Sequence, residues 1–520
     1  VFELRTFGLT CAQKVNESWT FNRNTSNLRK KKQTRRLEAQ DILQKTTRTK
    51  RRVRANGKIG RHMKPNLAHV VLPEREQPPL VKADLAQGDI GLVEFAKKAG
   101  RNIFSVIPDA TRTQTYLKGP ANFHYVCDPD MVTELLAGAG RRFPKSQFTH
   151  NVIGTAVGNG MILSEGAKWK EQRQRYAPLF AARNLPVLTA HFAQTGEELA
   201  DFFAEAKGKV DVADAAQEAT LTNISRVMFS GNEAVSKQDV RNGMRRFTDY
   251  ISYMSLFDLM GLPKWFPRKK WLKSKEPIHS LRKLARDVIE TRQAKRHPDP
   301  EDFLDLLIEA LEADKEDIDT TVDNLLTFVA AGYETSANSI AWGLYLLAMH
   351  PEAQARIRQE VLKACPAGPI AYENLPDMPL LQAHVRETLR LYPAGALFAR
   401  DATEETTIKD VTFKKGDVIM FPIYALHRNE ALWEDPEAYQ LDRFLGASYP
   451  RGQYIPFGDG PRICIGAQYA EAEIMVLLAS VLRKASFEMS DEPLPELVLT
   501  FTMRPGGPIV LNARPLGSAT

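Results

Sequence analysis

Phe457-Gly458-Asp459-Gly460-Pro461-Arg462-Ile463-Cys464-Ile465-Gly466 sets one cysteine in a glycine-punctuated loop that runs into a largely apolar helical stretch, Ala470 to Leu482. Glycine permits a sharply bent backbone whose N–H groups can point at a sulfur, and such hydrogen bonds tune the charge of a thiolate and the potential of the iron it binds. That arrangement suits presentation of a single thiolate to a haem iron. Arg462 can reach a haem propionate, and Gly466 lets the next helix lie close under the macrocycle. A glycine-rich turn ahead of a helix with a buried free cysteine would require neither Phe457 nor Arg462.

The ten residues match, at every specified position, the haem loop Phe-Gly-x-Gly-x-Arg-x-Cys-x-Gly of the cytochrome P450 family, which the chain resembles from about Met63 to Arg514. The resemblance implies Cys464 as the iron ligand, with Phe457, Arg462 and Gly466 around haem b. Ala331-Gly332-Tyr333-Glu334-Thr335-Ser336, inside the helical pattern Thr321 to His350, resembles the family's oxygen-binding helix. Glycine weakens a helix interior by about 1 kcal/mol; the resemblance explains Gly332 by a helix bent open over the haem face, with Ala331 beside the cofactor. It makes Glu334 and Thr335 the acid–alcohol pair that delivers protons to iron-bound oxygen. On residue chemistry alone, Thr335 would bond the carbonyl one turn back and Glu334 would be solvated.

Glu387-Thr388-Leu389-Arg390 carries a glutamate and an arginine on one helix face, a pair worth only tenths of a kcal/mol when solvated. In the family this pair is held by a further arginine, and Asp442-Arg443-Phe444 offers Arg443. This triad belongs to folding rather than catalysis. Trp169 and Arg173 are spaced i, i+4, which aims an indole N–H and a guanidinium the same way; with Arg400 they match positions that hold haem propionates. The motifs run in family order from Trp169 to Gly466.

The implied fold is mainly α (α+β): one domain over 63–520, with a long central oxygen-binding helix and small sheets around a buried haem. Hydrophobic residues make up 43% of the chain, enough for a large core. No stretch approaches the ~18 to 20 apolar residues that span a bilayer, so a soluble, bacterial-type, cytoplasmic, monomeric member without a transmembrane anchor is expected. Cys11, Cys127, Cys365 and Cys464 show no pairing pattern, as in a reducing compartment. Residues 1–62 hold 17 Lys and Arg against 4 Asp and Glu, leaving net −6 on the remainder of a chain of net charge +7. This basic, apolar-poor leader reads as disordered. An organellar transit segment, an arm for nucleic acid or an acidic partner, and translated sequence upstream of Met63 compete; the last is the expectation, and no nucleic-acid function is derived.

Along the chain, prolines from Met63 to Pro79 mark an extended entry, and Gly119 to Cys127 alternates like a strand before a helix start at Asp128-Pro129-Asp130. The stretch 142–160 is expected to be irregular and to cover the substrate pocket. Helical patterns run from Leu185 to Ala206, Ala213 to Ser230, Val240 to Asp258 and Glu276 to Arg296, broken at Pro263 to Pro267; the basic stripe of the last is expected to be a solvated face. Val498 to Met503 and Pro508 to Asn512, around Arg504-Pro505-Gly506-Gly507, read as a hairpin over the pocket.

A thiolate ligand favours O–O cleavage, so the resemblance implies insertion of one oxygen atom from dioxygen into a substrate. Electrons from NAD(P)H are expected through a ferredoxin and its reductase, or a flavodoxin, docking at a basic patch of Lys168, Lys170, Arg173 and Arg175. Leu325, Phe328 and Val329, with Ala394, Leu397 and Phe398, are expected to line a pocket for a small apolar substrate such as a fatty acid, terpenoid or aromatic, with Arg504 available for a carboxylate. A peroxide-driven member or a non-catalytic haem sensor is the alternative, and Glu334-Thr335 speaks against both.

Overall fold

The computed structural model describes residues 80–88, 98, 101–138, 141–206, 208–229, 243, 269–295, 303–314 and 317–516. The leader, the entry segment 63–79, the breaker at 263–267 and all but Gly243 of the pattern 240–258 lie outside the described residues. The fold is mainly helical with small sheets. Helices α1 (Pro129–Ala137), α2 (Gln147–Val157), α3 (Gly166–Tyr176), α4 (Leu185–Ala206), α5 (Val212–Phe229), α6 (Lys269–Ala294) and α7 (Phe303–Asp314) precede the long α8 (Ile318–Met349). After it come α9 (Pro351–Ala364), α10 (Pro379–Leu391), α11 (Ile423–Leu426) and α12 (Ala467–Lys484).

Local chemistry fixes the helix ends. Asp128 caps α1 through the Met131 N–H, with Pro129 in the first turn, and Asp317 caps α8 through the Thr320 N–H. α8 stops at His350 and α10 at Tyr392, each just ahead of a proline that disfavours helical backbone before it. From Ile340 to Met349 α8 is apolar all round and buried throughout, the pattern of a helix at the centre of a bundle.

Strands β1 (Tyr116–Lys118), β2 (Phe123–Val126), β7 (Val418–Phe421) and β4 (Phe398–Asp401) form one sheet in the order β1-β2-β7-β4, with β2 and β7 parallel. A second sheet sets β11 (Val510–Pro515) between β3 (Gly208–Asp211) and β8 (Ala485–Met489), and β5 (Thr406–Ile408) pairs with β6 (Val411–Phe413). The terminal hairpin differs from expectation. β9 (Leu497–Leu499) pairs with β10 (Met503–Pro505), so the turn falls at 500–502 and Arg504 sits in a strand. Gly506 extends that ladder by donating to the Glu496 carbonyl at 2.8 Å, and beyond it the chain leaves for β11 in another sheet.

Two further expectations are corrected. The stretch 142–160 is not irregular throughout: Ser146 caps α2, which Gly154 does not interrupt before Gly158 turns the chain at φ 55°. The basic face of α6 is not merely solvated, because Arg282 and Arg286 pair with Asp323 and Asp319 of α8, and Arg292 with Asp305 of α7. Its charges join helices that sequence alone leaves unpartnered. At the other end of α8, the segment 81–83 is held by tyrosines: Ala83 N–H donates to the Tyr424 hydroxyl at 2.9 Å, Val81 N–H to Tyr345 at 3.3 Å, and Tyr392 donates to the Val81 carbonyl at 3.1 Å.

Glu387, Arg390 and Arg443 come together as expected, in the core. Arg390 grips the fully buried Glu387 carboxylate with Nε and Nη2 at 2.8 and 2.7 Å, and Arg443 Nε and the Gln440 N–H reach Oε1 at 3.1 and 3.0 Å. Arg390 also donates to the carbonyls of His427, Pro436 and Ala438, so one side chain gathers the loop that leads from α11 to the cysteine loop. Breaking such a set leaves an uncompensated buried charge, costing about 3–5 kcal/mol. Glu387→Gln is expected to lower stability by that order in urea unfolding and to release bound haem on heating, whereas Lys168→Gln leaves both unchanged.

Three histidines, the buried His384 and His427 and the half-buried His350, add a pH dependence. Burial pushes His350 down to about 4, and His384 and His427 to about 3. The unfolded chain protonates them near pH ~6.5, so it binds more protons than the folded chain in the window between those values. Their contribution is full above pH ~6.5 and is lost as pH falls toward ~4 to 3. The histidine contribution to the urea midpoint is expected to hold steady from pH 8 to 7 and to drop below about 6.5, with proton uptake on unfolding near pH 5.

Candidate functional site

The loop 457–466 closes through a hydrogen bond from the Cys464 N–H to the Phe457 carbonyl, 2.8 Å. Gly458 and Gly460 take φ of 76° and 69°, and a Cβ on Gly460 would lie 2.5 Å from the Leu136 carbonyl oxygen. No larger residue fits there. The loop brings Cys464 to the start of α12, with Gly466 as the N-cap. Cys464 is exposed although protein packs around its thiol on nearly every side, as for a thiol that opens onto an enclosed space. Burial pushes the thiol pKa up, while the Gly466 N–H and the Arg173 guanidinium favour the thiolate. Coordination to a metal ion would complete the deprotonation.

The internal space also appears on α8. From Thr321 to Met349 every residue is buried except Ala330, Ala331, Gly332 and Thr335, in the middle of the helix. Ala331 and Thr335, one turn apart, share that face, and Glu334 beside them is buried. The Thr335 hydroxyl donates to the Ala331 carbonyl at 2.6 Å. Gly332 has a packing reason that differs from expectation: its Cβ would come within 2.7 Å of Ile224 Cδ1 on α5, so glycine lets two helices approach.

Above the cysteine loop is a buried cluster of cations. Arg462 pairs with Glu165 and lies over the Trp169 ring, 4.1 Å from its centroid. Lys145 and Arg400 meet in a β-bridge, Lys145 N–H donates to Glu165 at 3.0 Å, and Lys145 Nζ donates to the Ile162 carbonyl. Burial and the neighbouring Arg400 and Arg462 push Lys145 down to about 7; burial and Arg462 push Arg400 down to about 10. Arg400 Nε and Arg462 Nη1 are buried with no hydrogen-bond partner. Lys145, Arg400 and Arg462 share one carboxylate, a costly excess of buried charge that fits a ligand bearing further carboxylates. A haem held by the Cys464 thiolate and by this cluster through its propionates would fit the donor set and the accessible face of α8.

Trp169 and Arg173 diverge in role along α3. Trp169 supports Arg462, while Arg173, whose pKa burial lowers, interacts with Cys464. The basic patch therefore shrinks: Lys168 and Lys170 are exposed, but Arg173 is half-buried, and Arg175 is covered and pairs with Glu171 at 3.2 Å. Of the proposed pocket residues, Leu325, Phe328 and Val329 are in the core rather than on the accessible face. Phe328 packs edge-on to Tyr176, Phe180 and Phe303 at 5.4 to 5.5 Å. Phe398 flanks the cysteine loop beside Gly458, Leu397 is half-buried, and Ala394 accepts from the Met503 N–H at 2.8 Å. Asn338 donates to the Met503 carbonyl at 3.0 Å, which ties the β9–β10 hairpin to α8. Lys145 and Glu165 escaped the sequence reading; Lys145 lies 255 residues from Arg400, and nothing local marks it.

Comparison with known proteins agrees with this geometry. A family model described as Cytochrome P450 matches residues 110–512. The chain is 28% identical to a cytokinin hydroxylase of Arabidopsis thaliana, over 75% of the chain and 79% of the relative, and 28% identical to cytochrome P450 4F8 of Homo sapiens, over 83% and 88%. It is 27% identical to the cytochrome P450 monooxygenase sphH of Aspergillus fumigatus, over 75% and 78%. These relatives are eukaryotic and lend no support to a bacterial-type member. Among the described residues no helix is long and apolar enough to cross a membrane.

Lys145 offers a test of the carboxylate fit. With a folded pKa of about 7 against an ordinary 10.5, the unfolded chain holds the extra proton between those values. The haem-free protein should therefore gain stability as pH rises through that window. A carboxylate beside Lys145 raises its pKa and flattens the slope, as does Lys145→Met; urea midpoints at about pH 7 and about pH 9.5, with and without haem, give the comparison.

Proposed function

Starting from its membership of the cytochrome P450 family, which makes this chain a haem-thiolate monooxygenase, we propose that it hydroxylates or epoxidises a small apolar organic molecule with electrons from a separate protein donor. The observations that support this reading are the enclosed yet exposed Cys464 thiol, the accessible Ala331 and Thr335 in the middle of the otherwise buried α8, and buried cations short of carboxylates. Bound haem supplies dioxygen activation at an iron whose thiolate ligand is Cys464. Gly466 N–H and Arg173 stabilise the thiolate, and Lys145, Arg400, Arg462 and Trp169 hold and orient the carboxylates.

Glu334 and Thr335 are the proton-handling pair. The Thr335 hydroxyl hydrogen is committed to the Ala331 carbonyl, so its use requires rotation of that side chain toward the internal space, with the buried Glu334 as the acid behind it. Ala331, Ala394, Leu397 and Phe398 supply small and apolar surface, which supports a substrate such as a fatty acid, terpenoid or aromatic. A relative named as a hydroxylase is in keeping with C–H oxidation. Lys168 and Lys170, exposed on α3 close to Trp169, support docking of an acidic ferredoxin or flavodoxin.

Dithionite-reduced protein under carbon monoxide, compared with Cys464→Ser, tests the ligand. A red-shifted Soret band of thiolate-bound haem is expected in the parent and is lost in the variant. A parent band at the position of neutral or imidazole ligation overturns the reading.

A further inference from the structure

One edge of the first sheet carries three side chains in line that the site described above does not use. His124 on β2 is 3% exposed, and both of its ring nitrogens are taken. Nδ1 lies 2.9 Å from the Tyr116 hydroxyl on β1, and Nε2 lies 3.0 Å from Asp417 Oδ2, just before β7. Strand pairing explains how they meet. Tyr116 stands opposite Val126 and His124 opposite Lys118, so Tyr116 and His124 are diagonal neighbours on one face. The Phe413 ring of β6 packs on the imidazole at 5.0 Å, and the Lys414 N–H holds Asp417 Oδ2 at 2.7 Å.

The chemistry of the three groups fixes the place of each proton. An ionised carboxylate only accepts, so His124 Nε2 carries the hydrogen, its Nδ1 presents a lone pair, and the Tyr116 hydroxyl donates to it. Burial lowers the His124 pKa against the pull of Asp417, with Lys118 acting in the same sense as burial, so the ring is neutral at neutral pH. Burial and then Asp417 push the Tyr116 phenol up, so it keeps its proton at rest. A phenol that loses an electron becomes a very strong acid, and its oxidation is held back wherever that proton has nowhere to go. Here a base is already in hydrogen-bond contact.

We propose that Tyr116 is a redox-active tyrosine, oxidised by one electron while its proton crosses to His124 and Asp417 faces the imidazolium that forms. The step balances. The phenol O–H bond breaks, one electron leaves to a one-electron oxidant, a phenoxyl radical remains, and the proton stays in the triad as the new Nδ1–H. A one-electron donor such as ascorbate or a thiol returns the electron, and the proton goes back to the oxygen. Tyr116 is only half-buried, so such a donor reaches it from solvent. His124, Ile419 and Arg400 occupy one row across β2, β7 and β4, which sets His124 about 10 Å from Arg400 of the cation cluster. Haem chemistry at that cluster supplies an oxidant when no substrate consumes it. This supply rests on the haem-thiolate reading; the triad itself does not, so its test uses an external oxidant.

The full chain, Tyr116→Phe and His124→Gln are each oxidised by photogenerated tris(bipyridine)ruthenium(III) and followed by EPR. A phenoxyl signal is expected in the parent and is lost in Tyr116→Phe. His124→Gln keeps a hydrogen-bond acceptor but no base, and it is expected to form the radical roughly tenfold more slowly. A triad that only joins strands would give His124→Gln the parent rate. High-field EPR of the parent needs no variant: a hydrogen bond from the imidazolium to the phenoxyl oxygen narrows the spread of g values. The wide spread of a free phenoxyl, an undiminished signal in folded Tyr116→Phe, or the parent rate in folded His124→Gln overturns the assignment.

Discussion

A fully buried carboxylate anchors this molecule. Glu387 is fully buried, and it is tolerable there only because two guanidinium groups and a main-chain N–H converge on it. Neither oxygen is left to polarise the core, and Arg390 passes its spare donors to three carbonyls of the loop 427–438. That loop has no ladder of its own. Its backbone groups are satisfied by a side chain on α10, and its course sets where Phe457 to Gly466 begins. The position of the thiol is therefore inherited from an ion cluster elsewhere in the core.

The opposite electrostatic situation holds at the cation cluster. Lys145, Arg400 and Arg462 have one carboxylate among them, and burial with mutual repulsion lowers the pKa of Lys145. The triad finds acceptors within the protein for both of its guanidiniums, whereas the cluster leaves Arg400 Nε and Arg462 Nη1 to a ligand. Such sites trade stability of the free chain for affinity. Both use arginine, whose planar fork binds a carboxylate with two parallel bonds.

What was readable in the sequence follows from where information is local. The cysteine loop, the capped and proline-stopped helices and the Glu387–Arg390 spacing each lie within a few residues, and Leu185–Ala206 emerged with the boundaries read from periodicity. Arg443 became legible only through family resemblance. Partner choice across hundreds of residues was not legible. The arginines of α6 looked solvated because Asp319 and Asp323 lie on another helix; Lys145 looked ordinary because Arg400 is far along the chain. Phe328 looked like pocket lining because it is near Glu334 in sequence, yet the helix turns it into an aromatic cluster with Tyr176, Phe180 and Phe303. The terminal hairpin was misplaced since Gly506-Gly507 carries a strong turn signal, while the actual turn at 500–502 lacks glycine altogether.

The tyrosine clasp on the segment 81–83 bears on the order of assembly. Val81 and Ala83 bond to side chains 264 to 341 residues further along. Contacts of such separation form only after the intervening chain has condensed, because loop closure comes before any reward from the contact. On a ribosome the segment is made early and its three tyrosines late. It must wait through most of synthesis with its N–H and C=O groups in water, then dock once α8, α10 and α11 stand together. This early-made segment is thus among the last pieces to be fitted.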